Sequence, residues 1–165
     1  MNKLQIYPVN DKHINFYLES RNMLINRKYS SSSKIISKLV HYNWWFSQKK
    51  RRSYIVEKNN KKLMILTADF YFSNKRQFIY TGLISCLNKI DLIDLLRAVK
   101  WQNNKVNLYK NAVNIISVHK KNLFGNKQQK FFKFSVLNKN TNLYREAKKV
   151  IKFNNKFNTY YKIIK

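Results

Sequence analysis

The chain has 165 residues, 44% of them hydrophobic and 15% aromatic, so it is long enough to bury a core and too apolar to be a disordered basic tail. Its 34 lysine and arginine residues against 7 carboxylates give a formal net charge of +27, which indicates either a surface for polyanions or the codon usage of an A/T-rich genome. The lone cysteine excludes a disulfide framework, and the lack of a long apolar run or signal peptide predicts a soluble protein of the cytoplasm or of an organelle matrix.

The first predicted elements are a short strand and a helix. Alternating apolar residues over 3–7 predict a strand, and Pro8 places it at a sheet edge because proline cannot donate to a β-ladder. Asp11 is the expected N-cap of a helix over about 12–21. The residues expected on the inner face of this helix are Ile14, Tyr17 and Leu18.

A second helix is predicted after a serine-rich loop over 29–34. Its apolar residues recur at helical intervals and are Ile35, Ile36, Leu39 and Val40. We expect this apolar face to pack on a sheet, and we expect His41 to look toward Arg21 and Asn22 at the end of the first helix. His41 and Trp44 are three residues apart and therefore share one face of the second helix.

Strands dominate the middle of the chain. The four cations of Lys49–Arg52 are predicted to form the solvated end of the second helix, where positive charge suits the helix dipole. Three β-rich runs follow, over about 53–58, 62–71 and 77–86. Asn59 and Asn60 form a turn signal between the first two runs, so we expect three consecutive antiparallel strands.

The second half of the chain mixes helices with strands. A helix over about 89–101, with Asp91 and Asp94 near its start, is expected to pack on the three strands. The later elements are a strand over 112–118, a helix over 123–130, a strand over 131–137, a brief helix or strand near 150–153 and a strand over 160–164. This order predicts a single α/β domain over 1–165, with one mixed, mostly antiparallel sheet and helices on both faces.

Several chemistries are excluded by what the sequence lacks. The seven carboxylates are nearly all isolated, which argues against a paired-carboxylate hydrolase. The histidines, His13, His41 and His119, lack metal-ligand spacing, so no metal is expected. Two glycines are too few for a phosphate-binding or dinucleotide-binding loop. Cys86 is interpreted as a small buried hydrophobe in preference to a nucleophile.

Two separated groups of residues share the spacing of one known family. The first group is Arg21-Asn22, Ser30 eight residues after the asparagine, and His41 nineteen residues after it, followed by Trp44, Trp45 and Phe46. In the second group, Asn122 follows a strand and Phe134 stands twelve residues beyond it. Over residues 5–137 this pattern resembles the GNAT N-acetyltransferases, in particular the branch that acetylates nucleotide-linked amino sugars, and 138–165 form a basic C-terminal strand and tail.

The resemblance implies a GNAT-like mixed sheet splayed near its middle and transfer of an acetyl group from acetyl-CoA to a small-molecule amine such as an amino sugar. The residues it assigns to the acceptor are Arg21, Asn22, Ser30, His41 and Trp44. The residues assigned to acetyl-CoA are Asn122, Lys89 and Tyr80, with backbone N–H groups near 79–83 facing the reacting carbonyl.

The sequence departs from the family pattern at three places. Ile90 and Leu92 stand where the pyrophosphate loop has glycines, so their side chains are expected to weaken cofactor binding, and changing both to glycine is expected to strengthen it. The tyrosine that often protonates the leaving thiolate is replaced by Gln128 or Gln129, and a downstream glycine is replaced by Lys133.

Each assigned residue also has a structural interpretation. The favoured interpretation of His41 is a hydrogen-bonded histidine on a helix face, and that of Trp44 is a packing residue. Ser30 suits a loop hydroxyl, and Asn122 a helix N-cap. For the whole chain, the alternative is a non-catalytic basic protein of a ribosome or other ribonucleoprotein, with cations on phosphates and aromatic rings on unpaired bases.

Overall fold

The computed structural model describes residues 3–165. Its elements are β1 Gln5–Pro8, α1 Ile14–Asn22, α2 Leu24–Lys28, α3 Lys38–Ser47, β2 Arg51–Lys58, β3 Lys61–Phe72, β4 Gln77–Ser85, α4 Leu92–Val106, β5 Val113–His119, α5 Leu123–Phe131, β6 Ser135–Val136, α6 Asn142–Lys148 and β7 Phe157–Ile163. Within this described part of the chain, none of the helices has the length and apolarity needed to cross a bilayer.

The seven strands are hydrogen-bonded in the order β1-β2-β3-β4-β5-β7-β6. Only β4 and β5 pair in parallel, whereas β1 with β2, β5 with β7 and β6 with β7 are antiparallel. β2 and β3 are joined by a two-residue turn and β3 and β4 by a four-residue connection, which only antiparallel neighbours allow. The predicted mixed, mostly antiparallel sheet is confirmed, and β1 is an edge strand as expected.

The turn between β2 and β3 follows directly from its two asparagines. Asn59 and Asn60 have φ angles of 51° and 59°. Two successive left-handed residues define the hairpin turn whose twist matches that of the flanking strands, and asparagine tolerates this conformation better than most residues. The predicted hairpin is therefore confirmed, and its register is set by local turn chemistry.

The predicted cationic helix end after α3 is wrong. α3 ends at Ser47, Gln48 has extended backbone angles, and Arg51 and Arg52 are the first residues of β2. The backbone N–H of Arg51 donates to the Gln48 side chain over 3.1 Å, which holds the tight connection between helix and strand.

The N-cap assigned to Asp11 is also wrong. Asn10 caps a short 3₁₀ turn over Asp11–His13, which leads into α1, and the His13 ring accepts the Asn10 backbone N–H in return. The Asp11 carboxylate instead accepts the Trp45 indole N–H over 2.9 Å, so it fastens α3 to the start of α1. The carboxylate that the local pattern assigned to the helix N-terminus is therefore hydrogen-bonded to an indole 34 residues away in the sequence.

The apolar face predicted for α3 is not the face that is buried. Leu39 and Val40 are 72% and 60% exposed, and Ile35 lies before the helix, which starts at Lys38 with the Ser37 side chain as its cap. The residue that α3 buries completely is His41. Trp44 and Trp45 pack on the core beside His41, since an indole ring buries more apolar area than an aliphatic side chain does, whereas Phe46 stays exposed.

Two boundaries near the C-terminus differ from the sequence prediction. The strand expected over 131–137 is only Ser135–Val136, because α5 extends to Phe131. The brief helix or strand expected near 150–153 is wrong, because these residues form a turn and loop after α6, which ends at Lys148 and is capped by the Thr141 hydroxyl. β7 begins three residues before the expected strand and is confirmed as the last β-rich run.

Contacts between residues group the chain into two compact units, each with helices on both faces of its strands. The first unit comprises the chain up to Ala68 together with Leu83–Lys105. On one face of β2 and β3, Ile55 and Ile65 pack with α1 and α3, and on the other face Val56 packs with α4. This division follows from the alternation of side chains along a strand.

The second unit comprises Asp69–Gly82 and Val106–Lys165. One of its clusters joins Phe78 and Val113 to α6, and the other joins Val118 to the segment that follows α5. The prediction of helices on both faces is thus confirmed within each unit. The assignment of 1–165 to one domain stays a prediction.

The end of α5 explains the replacement of a family glycine by Lys133. Lys133 has a φ of 61°, its N–H donates to the Lys130 carbonyl, and the N–H of Phe134 donates to the Gln129 carbonyl. This is a Schellman motif, in which the left-handed residue is most often glycine. The chain keeps the backbone shape of a glycine with a lysine in its place.

We expect the substitution Lys133→Gly to raise the free energy of unfolding by about 1 kcal/mol, because it removes the steric cost of a left-handed non-glycine residue. The matched control Lys130→Gly, inside α5, should lower it by about 1 kcal/mol. Urea unfolding of both variants measures the difference. Equal destabilisation by the two glycines would contradict the assignment of Lys133 as the cap.

Candidate functional site

The first unit contains an aromatic cluster built around His41. The His41 side chain is fully buried and its Nε2–H donates to the Ile14 carbonyl over 3.0 Å. Its ring stacks on Tyr17 with centroids 5.9 Å apart and lies 5.3 Å from the ring of Trp44. His41 therefore faces α1 as predicted: its hydrogen bond is to the first residue of that helix, and Arg21 of the last turn reaches the same Trp44 ring.

Burial keeps His41 neutral. Desolvation lowers the pKa of His41, the bond to the Ile14 carbonyl acts in the opposite direction, and the charge of Arg21 lowers the pKa further. Because a carbonyl can only accept, the proton lies on Nε2, and Nδ1 is a buried acceptor without a hydrogen-bond partner among residues 3–165. The ring supports the aromatic cluster and has no exposed surface for a ligand.

Two guanidinium groups lie against the half-buried Trp44 ring. The Cζ atoms of Arg21 and Arg51 are 5.5 Å and 5.2 Å from its centroid, within the range of cation–π attraction. A cavity of about 60 Å³ lies beside this ring, and its lining is Val9, Tyr17, Trp44, Trp45, Gln48, Arg51 and Ser53. The cavity has room for a few water molecules only.

The loop between α1 and α3 is ordered by side chains bonded to its own backbone. Asn22 accepts the Ile36 N–H and donates to the Ile36 carbonyl, both over 2.9 Å. Arg27 donates to the carbonyls of Asn22 and Ser33. The Ser30 hydroxyl donates to the Arg27 carbonyl over 3.1 Å. The loop that carries two assigned acceptor residues is therefore held in one shape.

Asn26, which the sequence did not single out, is bonded to the end of β4. Its side-chain NH₂ donates to the carbonyls of Ser20 and Ser85, over 2.6 Å and 2.7 Å, and its Oδ1 accepts the Ser85 N–H over 2.9 Å. The amide thus pairs with Ser85 as a neighbouring strand would. No local sequence pattern signals a contact between residues so far apart in the chain.

The bond to Asn26 limits which backbone groups at the end of β4 can bind a ligand. The N–H of Cys86 donates to the Leu63 carbonyl on β3, so by strand alternation the backbone groups of Ser85 and Leu83 point away from β3. The ladder of β4 with β5 ends at Thr81 paired with Ile116, although β4 continues to Ser85. Leu83 therefore lies on the outward edge of β4 between a paired residue and one bonded to Asn26.

Backbone N–H groups in the first turn of α4 are hydrogen-bonded to a side chain of the same segment. The Asp91 carboxylate accepts the backbone N–H groups of Ile93 and Asp94, over 2.9 Å and 3.2 Å. Ile90 packs against the core cluster of Val56, and Leu92, the first residue of α4, is half-exposed, so the obstruction expected from these two side chains stays a prediction. Two of the N–H groups that could donate to a phosphate thus donate to a carboxylate, whose negative charge also repels a phosphate.

The second unit holds the two other residues assigned to acetyl-CoA. Asn122 caps α5 by accepting the Gly125 N–H over 2.9 Å through Oδ1. Tyr80 is half-buried in the cluster that joins β4 to α6. Gln128, one of the two candidates for the family's tyrosine position, has a buried side-chain NH₂ without a hydrogen-bond partner in the described chain.

Catalytic carboxylates and thiols are scarce in the described residues. Glu57 accepts the Tyr7 hydroxyl, and Glu146 pairs with Arg76 over 3.0 Å. Burial raises the pKa of the Cys86 thiol to about 11, so it stays protonated and acts as a packing residue near neutral pH. Residues 3–165 contain no group of three or more histidine, cysteine or carboxylate side chains able to hold a metal ion.

The structure brings some of the assigned residues together. Arg21, His41 and Trp44 meet in one cluster, whereas Asn22, the last residue of α1, and Ser30 are bonded to the backbone of the adjoining loop. Lys89 is exposed in the loop before α4. The assignment of these residues to an acceptor or to acetyl-CoA stays a prediction.

Comparisons with known proteins find the fold and not a close relative. No family model matches the sequence, and no curated protein matches it. An N-acetyltransferase from Staphylococcus aureus aligns over 99% of both chains with a TM-score of 0.67 and 12% identity. RimL, a ribosomal alpha-N-protein acetyltransferase in complex with coenzyme A, aligns over 98% of this chain and 94% of its own with a TM-score of 0.68 and 11% identity.

A third similar structure is the N-acetyltransferase PseH from Campylobacter jejuni, which aligns over 98% of this chain and 99% of its own, with a TM-score of 0.58 and 12% identity. These are likenesses of fold across almost the whole chain. The chain therefore has the GNAT fold, as the spacing of its two sequence motifs indicated.

Proposed function

We propose that the protein is an N-acetyltransferase that moves the acetyl group of acetyl-CoA to an amine. The observation that carries the proposal is the outward edge of β4, where the ladder with β5 stops at Thr81 and the strand continues past Leu83. A backbone N–H at this position can receive the oxygen of a thioester carbonyl without any catalytic side chain. The GNAT fold and the coenzyme A held by RimL support the choice of acyl donor.

The chain's own groups suit direct attack by an amine. The Leu83 N–H is placed to stabilise the negative oxygen that forms when the amine nitrogen attacks the acetyl carbonyl and the carbon–sulfur bond breaks. The amine loses one proton and the departing thiolate gains one. The proposal assigns no side-chain base, since His41 is buried and Glu57 accepts the Tyr7 hydroxyl, so the amine must arrive neutral and the rate should rise with pH up to the amine's own pKa.

The reactive end of acetyl-CoA fits the structure better than its pyrophosphate does. The Asn122 cap uses only Oδ1, so its NH₂ group can donate to the donor's amide arm, and Tyr80 of the same unit is proposed as a further contact. The first turn of α4, by contrast, is filled by Asp91. We infer that acetyl-CoA is bound weakly.

For the acceptor we propose a nucleotide-linked amino sugar. Trp44 offers an aromatic face and the adjacent guanidinium of Arg21 a positive charge, a combination suited to a base and a phosphate. Asn22 and Ser30 would shape the neighbouring loop, and His41 would hold the Trp44 ring in place.

Calorimetry with acetyl-CoA on protein freed of nucleic acid tests the donor. Release of the thiol of coenzyme A, measured with UDP-linked amino sugars and with short peptides as amines, tests the reaction and the acceptor. Binding with transfer to an amino sugar is the expected result. Transfer to the peptides alone would overturn the acceptor, and a protein that neither binds acetyl-CoA nor turns it over would overturn the proposal.

Removal of one negative charge at α4 should strengthen donor binding. In Asp91→Asn the cap is kept, because asparagine caps helices about as well as aspartate does, while the repulsion of the pyrophosphate is removed. We expect the affinity for acetyl-CoA to rise about tenfold, with unfolding almost unchanged. The matched control Asp11→Asn, whose carboxylate serves Trp45, should leave the affinity as it was.

A further inference from the structure

The outer face of α5 carries aromatic and cationic side chains that no element of the described chain covers. Opposite the buried Gly125 and Gln129, the exposed residues of the helix are Leu123, Phe124, Lys127, Lys130 and Phe131. At about 100° per residue these five fall within an arc of about 120°. We call this set the α5 stripe.

The inner face of α5 explains why the stripe points outward. A Cβ on Gly125 would lie 2.9 Å from Cγ1 of Val118, so the helix rests closely on β5 at this point. The Gln129 side chain is buried and donates to the Gly125 carbonyl over 3.2 Å. With this face fixed on the strand, the opposite residues point away from β5, and Phe131, whose ring makes an edge contact with Phe132, is still 69% exposed.

The charge around the stripe is almost entirely positive. From Lys120 to Lys165 the sequence has thirteen lysine and arginine residues and one carboxylate side chain, Glu146. Glu146 is engaged by Arg76 and by the Ser73 hydroxyl. Among residues 3–165, no carboxylate pairs with Lys127 or with Lys130.

The order of side chains within the stripe distinguishes between two anionic partners. Lys127 lies at the centre of the arc, with Phe124 and Phe131 on one side of it and Leu123 on the other. A helix that lies on a membrane needs a continuous apolar face with cations at its margins. Single-stranded nucleic acid is instead bound by aromatic rings that stack on bases and by cations interleaved among them.

We propose that the α5 stripe binds single-stranded nucleic acid. Phe124 and Phe131 are two turns apart, about 10 Å along the helix, so each can stack on a separate base. Lys127 and Lys130 contact the phosphates between and beside these bases. The proposal does not depend on acetyl transfer, because it uses none of the residues assigned to that reaction.

Fluorescence anisotropy with a labelled oligouridylate tests the stripe. We expect Phe124→Ala and Phe131→Ala each to weaken binding about tenfold, as the loss of one base–aromatic stack does. The matched control is the pair Phe46→Ala and Phe72→Ala, since each of these rings is 69% exposed, as Phe131 is. The control pair should leave the affinity unchanged.

The salt dependence of binding tests the lysines. Replacing both Lys127 and Lys130 by glutamine should lower the slope of log K against log salt concentration by about 1.4, the value for two phosphate contacts on a single strand. Glutamine at Lys38 and Lys100, two exposed helix lysines elsewhere, should change the slope less. An equal change in both pairs would show that binding follows net charge, and the stripe would be rejected.

Two further probes identify the partner class. A duplex of the same length should bind more weakly than the single strand and should not respond to the phenylalanine substitutions, because its bases are already stacked. Equal affinity for duplex and single strand, or binding to phosphatidylserine vesicles without binding to oligouridylate, would overturn the proposal. Oligodeoxythymidylate compared with oligouridylate then shows whether the sugar is distinguished.

Discussion

Replacing His41 by alanine is expected to lower the free energy of unfolding by about 3 kcal/mol, the largest effect of any single change at the candidate site. The ring is fully buried, its Nε2–H bond to the Ile14 carbonyl is lost, and the surface that Tyr17 and Trp44 pack against disappears. The Ile14 carbonyl belongs to the first turn of α1, where its helical partner is still available. The loss therefore comes mainly from the cavity.

The same residue should make stability depend on pH. Because burial lowers the pKa of His41 below its ordinary value of 6.5, the unfolded chain binds a proton there more readily than the folded chain does. The contribution of His41 is complete above pH 6.5 and is lost as the pH falls toward the folded pKa, with a slope of at most about 1.4 kcal/mol per pH unit.

Urea unfolding between pH 7.5 and 5.0 measures this slope. In His41→Gln, which cannot titrate, the slope should become shallower, whereas His13→Gln and His119→Gln serve as matched controls for histidines that are not buried. If the slope persists in His41→Gln and disappears in one of the control variants, the pH dependence comes from that other histidine, and the prediction is contradicted.

The second large effect is expected at the ion pair between β2 and α4. Lys58 Nζ contacts both carboxylate oxygens of Asp94, over 3.0 Å and 2.8 Å, and Asp94 is 4% exposed. Lys58→Met leaves this carboxylate buried and unpaired, so we expect the free energy of unfolding to fall by about 3 kcal/mol. This value is at the lower end of the range for a broken buried ion pair, because the lysine is partly solvated.

A second substitution tests this explanation. Asp94→Leu introduced together with Lys58→Met removes the unpaired charge, and we expect the double variant to regain most of the lost stability. The matched control is Arg76→Met, which breaks the ion pair of Arg76 with Glu146, a pair more exposed to solvent than that of Lys58 with Asp94. If the double variant is as unstable as Lys58→Met alone, the cost comes from lost packing of the lysine stem and not from the charge.

The sequence predicted several features that depend on neighbouring residues in the chain. The turn at Asn59 and Asn60 lies where two consecutive asparagines permit left-handed backbone. The spacing of Asn122 and Phe134 indicated a helix after β5 and a strand after that helix, and the structure has both. Lys133, which breaks the family pattern, has the left-handed φ that a Schellman motif at a helix end requires and that glycine most often supplies.

Features that depend on distant partners were decided by the tertiary structure. Periodicity alone could not show that α3 buries His41 and leaves Leu39 exposed, because the choice of face depends on which elements pack against the helix. The bond of Asn26 to the end of β4 joins residues 59 positions apart.

The sequence by itself determined the order of elements, the hairpin and the family resemblance, since each is encoded in propensities and spacings along the chain. Only the tertiary structure decided which polar groups are occupied. Asp91 fills the first turn of α4 and Asn26 the end of β4, and these contacts limit where a ligand's phosphate or carbonyl can bind. A buried donor or acceptor takes whichever partner the fold brings within hydrogen-bond distance, and that partner cannot be identified before the fold is known.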